Sequence, residues 1–121
     1  MVEICSPWVK TAYFCSGIRT RWNSRGNCLL VVGATVPQEL AQVRAIAGSI
    51  PFLVPGVGAQ GGDIRLAVEM GQTAAGTGLI VSSSRAILHA STGLDFAAAA
   101  RSATRALRDA INAGRKRPLV Q

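Results

Sequence analysis

The sequence predicts an α/β fold with a parallel sheet, on two observations. Three apolar runs of strand length are each followed by a helical pattern, which is typical of successive βα units. The second and third runs both end in segments suited to anion binding, one rich in glycine and one rich in serine. Such units pair in parallel through right-handed crossovers. In chain order, strands are predicted at 28–32, 51–54 and 77–82, and the main helices at 35–47, 63–70 and 94–113.

Composition limits the class of protein. A chain of 121 residues with 49% hydrophobic residues supports one small domain. It has no apolar run long enough to span a bilayer and no secretory signal pattern, so we expect a cytoplasmic protein without membrane contact. The net charge of +7 lies mainly at the two ends, and no aromatic residues interleave the C-terminal basic run, which predicts solvated surface and not a nucleic-acid site. Three cysteines without metal-ligand spacing predict neither a disulfide framework nor a metal site.

The organisation along the chain has three parts. Residues 1–26 show no clear period and stay unassigned, residues 27–115 hold the βα units, and residues 116–121 form a basic tail. In the first unit, the continuous run Cys28–Val32 predicts a strand buried on both faces, as in a parallel sheet. Thr35 and Gln38 have capping-box spacing, and Gly48 is expected to end the helix. The predicted buried stripe of this helix is Leu40, Val43 and Ala47.

The second unit contains the Gly-rich turn. Four glycines lie between Pro55 and Asp63, where φ > 0 is accessible and backbone N–H groups can approach a ligand closely. Asp63 is predicted to cap the following helix, whose positive dipole end favours an anion, and Gly71 is expected to close that helix.

The third unit brings a cation beside this turn. Its strand runs into Ser82-Ser83-Ser84-Arg85, and a guanidinium binds phosphate with a bidentate fork. One short helical turn is predicted at 84–88. The long helix that follows has a predicted apolar stripe of Phe96, Ala100, Ala103, Leu107 and Ile111, with Arg101, Arg105 and Arg108 on the opposite side.

Other interpretations of these motifs stay open. Residues 56–61 formally match the dinucleotide fingerprint, although the acid expected about 20 residues later is replaced by Ser82–Arg85. An NADP-binding Rossmann-like module is therefore one alternative, and a Gly-rich turn without ligand is another. His89 is expected to be a partly buried structural histidine. Ser83 and Ser84 have no evident base partner, so nucleophilic catalysis is not predicted.

Three segments taken together resemble a known family. The segments 26–35, 55–63 and 82–85, in this order and spacing, resemble the C-terminal part of orotidine 5'-phosphate decarboxylase, in the longer bacterial form found in mycobacteria and relatives. The resemblance covers about residues 22–115. It implies a partial (β/α)8 TIM barrel, with the three units here as units six to eight. It also implies removal of carbon dioxide from orotidine 5'-phosphate to give UMP, without cofactor or metal.

The resemblance also implies roles for single residues. Gln60 would be the loop amide that closes over the phosphate, and Arg85 the guanidinium that binds it. Pro55 would line the pyrimidine pocket. Backbone N–H groups would come from Gly58, Ala59 and Ser84.

The sequence departs from the family at the catalytic cluster. The family's Asp-x-Lys-x-x-Asp motif is absent, and the only lysines, Lys10 and Lys116, have no Asp at the required spacing. No catalytic residue is therefore assigned, and the isolated chain is expected to be inactive. With three of eight strands, it is expected to form a homo-oligomer or to associate with the missing barrel strands. A non-catalytic phosphate-binding half-barrel protein is the remaining alternative.

Overall fold

The computed structural model describes residues 17, 21, 23–34, 36–55 and 63–115. The elements in these ranges alternate between strand and helix, as the sequence predicts, and the helix 84–88 has the predicted bounds. They are β1 Leu30–Val31, α1 Pro37–Ala47, β2 Phe52–Pro55, α2 Ile64–Gly71, β3 Leu79–Ser82, α3 Ser84–Leu88 and α4 Phe96–Gly114.

The three strands form one parallel sheet in the order β1-β2-β3. The predicted parallel fold is thus confirmed, with the first and third strands at the two edges of the sheet. Leu30, Phe52 and Leu79 lie side by side in one row, and Val31, Leu53 and Ile80 form the next. Because side chains alternate between faces along a strand, the first row faces one side of the sheet and the second row the other.

The core lies between the sheet and the helices α1 and α2. Phe52 is 0% exposed and Val54 2%, and both belong to one apolar cluster with residues of α1 and α2. The predicted stripe of α1 is confirmed as buried: Leu40, Val43 and Ala47. These contacts cover one face of the sheet.

On the other face of the sheet, which we call the open face, two side chains are more than half exposed, so the prediction of burial on both faces is wrong. Val31 is 67% exposed and Ile80 51%, and these residues belong to the same row. The physical reason is that α1 and α2 both lie on the opposite side. In a closed (β/α)8 barrel this face would point to the interior, where it would be packed by the other strands.

A buried arginine joins the ends of several elements. Arg44 in α1 is 8% exposed, and its guanidinium lies 3.5 Å from the centroid of the Phe52 ring. Its Nε donates to the Gly71 carbonyl at 2.7 Å. Three further bonds go from Nη1 to the carbonyls of Gly48 at 2.9 Å and Ile50 at 2.6 Å, and from Nη2 to the carbonyl of Gly78 at 3.0 Å. Burial lowers the pKa of Arg44 from its ordinary value, while the carbonyls and the ring stabilise the charged form.

Gly71 is the last residue of α2, but it does not have the left-handed backbone of a terminating glycine. A Cβ at this position would lie 2.6 Å from Cδ2 of Leu40. The glycine therefore permits close packing of α2 on α1. Gly48, by contrast, ends α1 with φ +64°, as predicted.

The helix starts differ in how well the sequence predicts them. The Asp63 carboxylate accepts hydrogen bonds from the N–H groups of Arg65 and Leu66 at 2.9 and 3.2 Å, which confirms the predicted cap of α2. The N-cap of α1 is Val36, which has no side-chain acceptor, and Thr35 lies outside the described residues.

The long helix α4 packs less completely than its pattern predicts. Phe96 is 62% exposed, and none of the residues of α4 is fully buried. The other stripe residues are half-buried, whereas the three arginines predicted on the opposite side are exposed: Arg101, Arg105 and Arg108. None of the described helices combines the length and apolar character needed to cross a membrane.

Candidate phosphate-binding site

The site predicted from sequence lies at the carboxyl ends of β2 and β3. Pro55, the last residue of β2, is paired in register with Ser82, the last residue of β3. The chain segments that leave these two strands therefore start next to each other, at the same edge of the sheet. In parallel α/β folds this edge is where ligands bind.

The segment after β3 presents an exposed cation. Ser84 and Arg85 form the first turn of α3, and both are exposed. Within the described residues the Arg85 guanidinium makes no hydrogen bond or ion pair, so it is available to a ligand. Ser83, just before the helix, is 9% exposed.

The segment after β2 is the Gly-rich turn. Three of the predicted site residues, Gly58, Ala59 and Gln60, lie outside the described residues, as does the whole of 56–62. The turn is bounded by two described residues, Pro55 at the end of β2 and the helix cap Asp63. Pro55 is exposed and shares the open face of the sheet with Ser82.

His89 corrects one expectation. It is exposed, not partly buried, and follows α3 directly as its C-cap residue. The short α3 packs against α4 but leaves its own C-terminal end at the surface. Among the residues that the structure describes, no group of three or more His, Cys, Asp or Glu side chains is placed to hold a metal ion.

A cavity of about 350 Å³ lies away from this site, near the amino end of β3. It is bounded by β3, the loop 72–78 and the last turns of α4, with Leu79, Ile111 and Asn112 among its lining residues. Its position does not match the predicted phosphate site. The cavity also has a cation in its lining, Arg115, but its Nε donates to the carbonyl of Gly76 at 3.2 Å. We assign the candidate site to the strand ends and Arg85, because the Arg85 guanidinium makes no hydrogen bond within the described residues.

Two buried polar residues have structural roles that the sequence pattern did not predict. One is Arg44, whose acceptors lie up to 34 residues away in the chain. The other is Gln72, 6% exposed, whose Nε2 donates to the carbonyl of Gly114 at 3.1 Å. The position of Arg44, directly after Val43 in the buried stripe of α1, is a sequence signal that its side chain is buried. Its acceptors could not be read from the sequence.

Curated relatives match most of the chain. It is 65% identical over 94 residues to an orotidine 5'-phosphate decarboxylase of Azoarcus sp., covering 78% of the chain and 35% of the relative. It is 60% identical over 97 residues to the orotidine 5'-phosphate decarboxylase of Cellvibrio japonicus, covering 80% of the chain and 36% of the relative. The chain thus spans about a third of the length of these relatives. No protein-family model matches it.

Solved structures of orotidine 5'-phosphate decarboxylases and a related synthase are also similar to this chain. The UMP synthase of Leishmania donovani is 39% identical with a TM-score of 0.68, over 83% of this chain and 22% of that one. The OMP decarboxylase of the same organism is 32% identical with a TM-score of 0.66, over 84% of this chain and 37% of that one. The predicted fold class is confirmed: the chain has three parallel strands with helices, a partial α/β fold similar to part of the OMP decarboxylase structure.

Proposed function

Because the chain is homologous to a part of orotidine 5'-phosphate decarboxylase, we propose that it forms the phosphate-binding portion of such an enzyme. The reaction converts orotidine 5'-phosphate to UMP and carbon dioxide in pyrimidine biosynthesis. The observation that supports the proposal is the pairing of Pro55 with Ser82 at the carboxyl edge of the sheet, since Pro55 directly precedes the Gly-rich segment and Ser82 lies three residues before Arg85.

In this proposal each residue has a distinct role. The guanidinium of Arg85 binds the phosphate through charge-assisted hydrogen bonds, and Gln60 closes over it from the turn. Pro55, on the open face of the sheet, lines the pyrimidine pocket. Backbone N–H groups are donated by Gly58, Ala59 and Ser84.

The exposure of Arg85 supports its role. An arginine with no partner among the described residues contributes little to the stability of the fold, and it can pair with phosphate without first breaking a hydrogen bond. No cofactor is needed in the proposed binding step. An NADP-binding module or a non-catalytic half-barrel is not favoured, because the matched relatives are orotidine 5'-phosphate decarboxylases.

Calorimetric titration with UMP tests the proposal. Arg85→Ala should weaken binding by about 1.5–3 kcal/mol, because a charge-assisted hydrogen bond is lost. Arg101→Ala is the matched control, since Arg101 is an exposed arginine on the outer side of α4, and it should leave the affinity unchanged. Equal UMP affinity in the wild-type chain and Arg85→Ala would disprove the assignment.

The isolated chain is proposed to be catalytically inactive. Groups that bind phosphate stabilise substrate and transition state alike, whereas the barrier falls only through groups that act at the reacting carbon. The chain has two lysines and no Asp-x-Lys-x-x-Asp motif. Purified chain should therefore give no loss of orotidine 5'-phosphate absorbance above background, and measurable turnover would reject this part of the proposal.

The proposal also covers the association of the chain with other chains and its place in the cell. The open sheet face, with Val31 and Ile80 more than half exposed, favours a homo-oligomer or pairing with further barrel strands over a monomer. We place the protein in the cytoplasm, where its nucleotide substrate would be available.

A further inference from the structure

The exposed face of α3 carries two side chains with hydrogen-bond donors, Arg85 and His89. The N–H of His89 donates to the carbonyl of Arg85 at 3.0 Å, so His89 lies one helical turn after Arg85. Side chains four positions apart are neighbours on one face of a helix, about 5–6 Å from each other at Cβ. Ile87, the one half-buried residue of α3, lies on the opposite face. Arg85 and His89 therefore form one outward pair.

The direction of α3 turns this pair toward the candidate site. β3 ends at Ser82 and α3 begins at Ser84, so the first turn of α3 lies at the carboxyl edge of the sheet. The Cα–Cβ bonds of a helix are tilted toward its N-terminus, so the side chain of His89 lies over the preceding turn, which contains Arg85. The imidazole is thus directed toward the Arg85 guanidinium and the carboxyl edge.

His89 has no structural task in the part of the chain that the structure describes. Its imidazole is exposed and makes no hydrogen bond or ion pair with any described residue. The acid nearest to it in the sequence, Asp95, accepts a hydrogen bond from the Ser91 hydroxyl instead. Since Arg85 also has no partner among these residues, both members of the pair are available to one ligand.

We propose that His89 is a second phosphate-binding residue, which donates a hydrogen bond from its imidazole to an oxygen of the phosphate that Arg85 binds. An imidazole has an N–H donor even when it is neutral. A phosphate group has several acceptor oxygens, so the guanidinium and the imidazole bind different oxygens of the same group. The inference rests on the proposed function, because it requires the phosphate at Arg85, and it adds that two residues of one helical face bind it together.

The first experiment observes the imidazole directly. His89 is the only histidine among the 121 residues, so its ring resonances are assigned without ambiguity. The ¹⁵N-labelled chain is titrated with UMP at constant pH, and the ring resonances should move with the same concentration dependence as the amides of Ser84 and Arg85. Uridine, which lacks the phosphate, should leave them in place. Ring resonances that stay unmoved when UMP saturates the Ser84 and Arg85 shifts would overturn the inference.

The second experiment separates the hydrogen bond from the shape of the ring. His89→Phe keeps a ring without a donor and should weaken UMP binding about three- to tenfold, the range of one net hydrogen bond. His89→Gln supplies a donor again and should recover part of the affinity. Leu88→Ala is the matched control, because Leu88 is the preceding residue, is 70% exposed and has no side-chain donor. Wild-type affinity in His89→Phe, or an equal loss in Leu88→Ala, would overturn the inference.

Arg85→Ala distinguishes failure of this inference from failure of the proposed function. If Arg85→Ala weakens UMP binding and His89→Phe does not, the inference alone fails. If neither variant changes the affinity, the proposed phosphate site fails and the inference fails with it. Both positions are exposed, so the variants should fold, which far-ultraviolet circular dichroism checks.

Discussion

Two arginines, Arg44 in the first βα unit and Arg85 in the third, have opposite environments at opposite ends of the sheet. At the amino end, Arg44 is buried against Phe52 and donates to four backbone carbonyls. At the carboxyl end, Arg85 is exposed and has no partner within the described residues. In (β/α)8 barrels the amino end of the strands serves stability and the carboxyl end serves ligands. The same residue type therefore holds the fold together at one end and is left available at the other.

The largest expected effect is the loss of the buried guanidinium. Arg44→Met should lower the free energy of unfolding by about 3–4 kcal/mol, because the carbonyls of Gly71, Ile50 and Gly78 lose their donor inside the protein. Arg85→Met should change it by less than about 0.5 kcal/mol, as expected for an exposed side chain. Urea denaturation of the two variants measures both values. Similar losses of unfolding free energy in the two variants would show that the two ends of the sheet do not differ in their contribution to stability.

Arg44→Lys sharpens the same comparison. Lysine keeps the charge but lacks the planar fork that reaches several carbonyls at once, so only part of the stability should return. Full recovery of the wild-type midpoint would show that charge, and not hydrogen-bond geometry, matters at this end.

A smaller effect is expected where α2 meets α1 near the amino end of the sheet. Gly71→Ala places a methyl group 2.6 Å from Cδ2 of Leu40, and overpacking of this kind costs about 1–3 kcal/mol. Helix propensity alone would favour alanine by about 1 kcal/mol, so the sign of the change separates the two effects. A stabilised Gly71→Ala variant in thermal denaturation would contradict the packing described for this helix pair.

The smallest effect concerns the helix start that follows the Gly-rich turn. Asp63→Ala should cost about 1 kcal/mol, since the N–H groups of Arg65 and Leu66 lose their acceptor. Asp63→Asn is the matched control, because the asparagine side chain keeps an oxygen that can accept hydrogen bonds from the same two N–H groups. Equal destabilisation of the two variants would show that the cap bond contributes nothing measurable.

Local pattern predicted most of the fold. Apolar runs bounded by glycine gave the three strands, and the acceptor at Asp63 gave the start of α2, because both signals act over a few residues. The role of Arg44 was not predictable, since its acceptors come from three separate parts of the chain that meet only in the folded protein. The open face of the sheet was missed for a related reason. A continuous apolar run indicates that a strand is buried on both faces in a complete barrel. It does not indicate whether the elements that would cover the second face belong to the same part of the chain.

The candidate site was predicted in part. The sequence placed Arg85 after the third strand, and parallel pairing brought Pro55 beside Ser82, as successive βα units require. The contribution of Gly58, Ala59 and Gln60 stays a prediction, since these residues lie outside the described part of the chain. His89 shows the limit of residue type alone, because one histidine after a short helix can be buried or exposed according to how that helix packs.

Titration of the ¹⁵N-labelled chain with UMP, followed by amide chemical shifts, tests most directly whether the two ends of the sheet divide stability and ligand binding. This division of roles predicts shift changes at Ser82, Ser84 and Arg85, at the carboxyl end of β3, and none around the cavity at Thr77 and Asn112. Changes confined to the cavity residues, or none at the carboxyl end at saturating UMP, would contradict it.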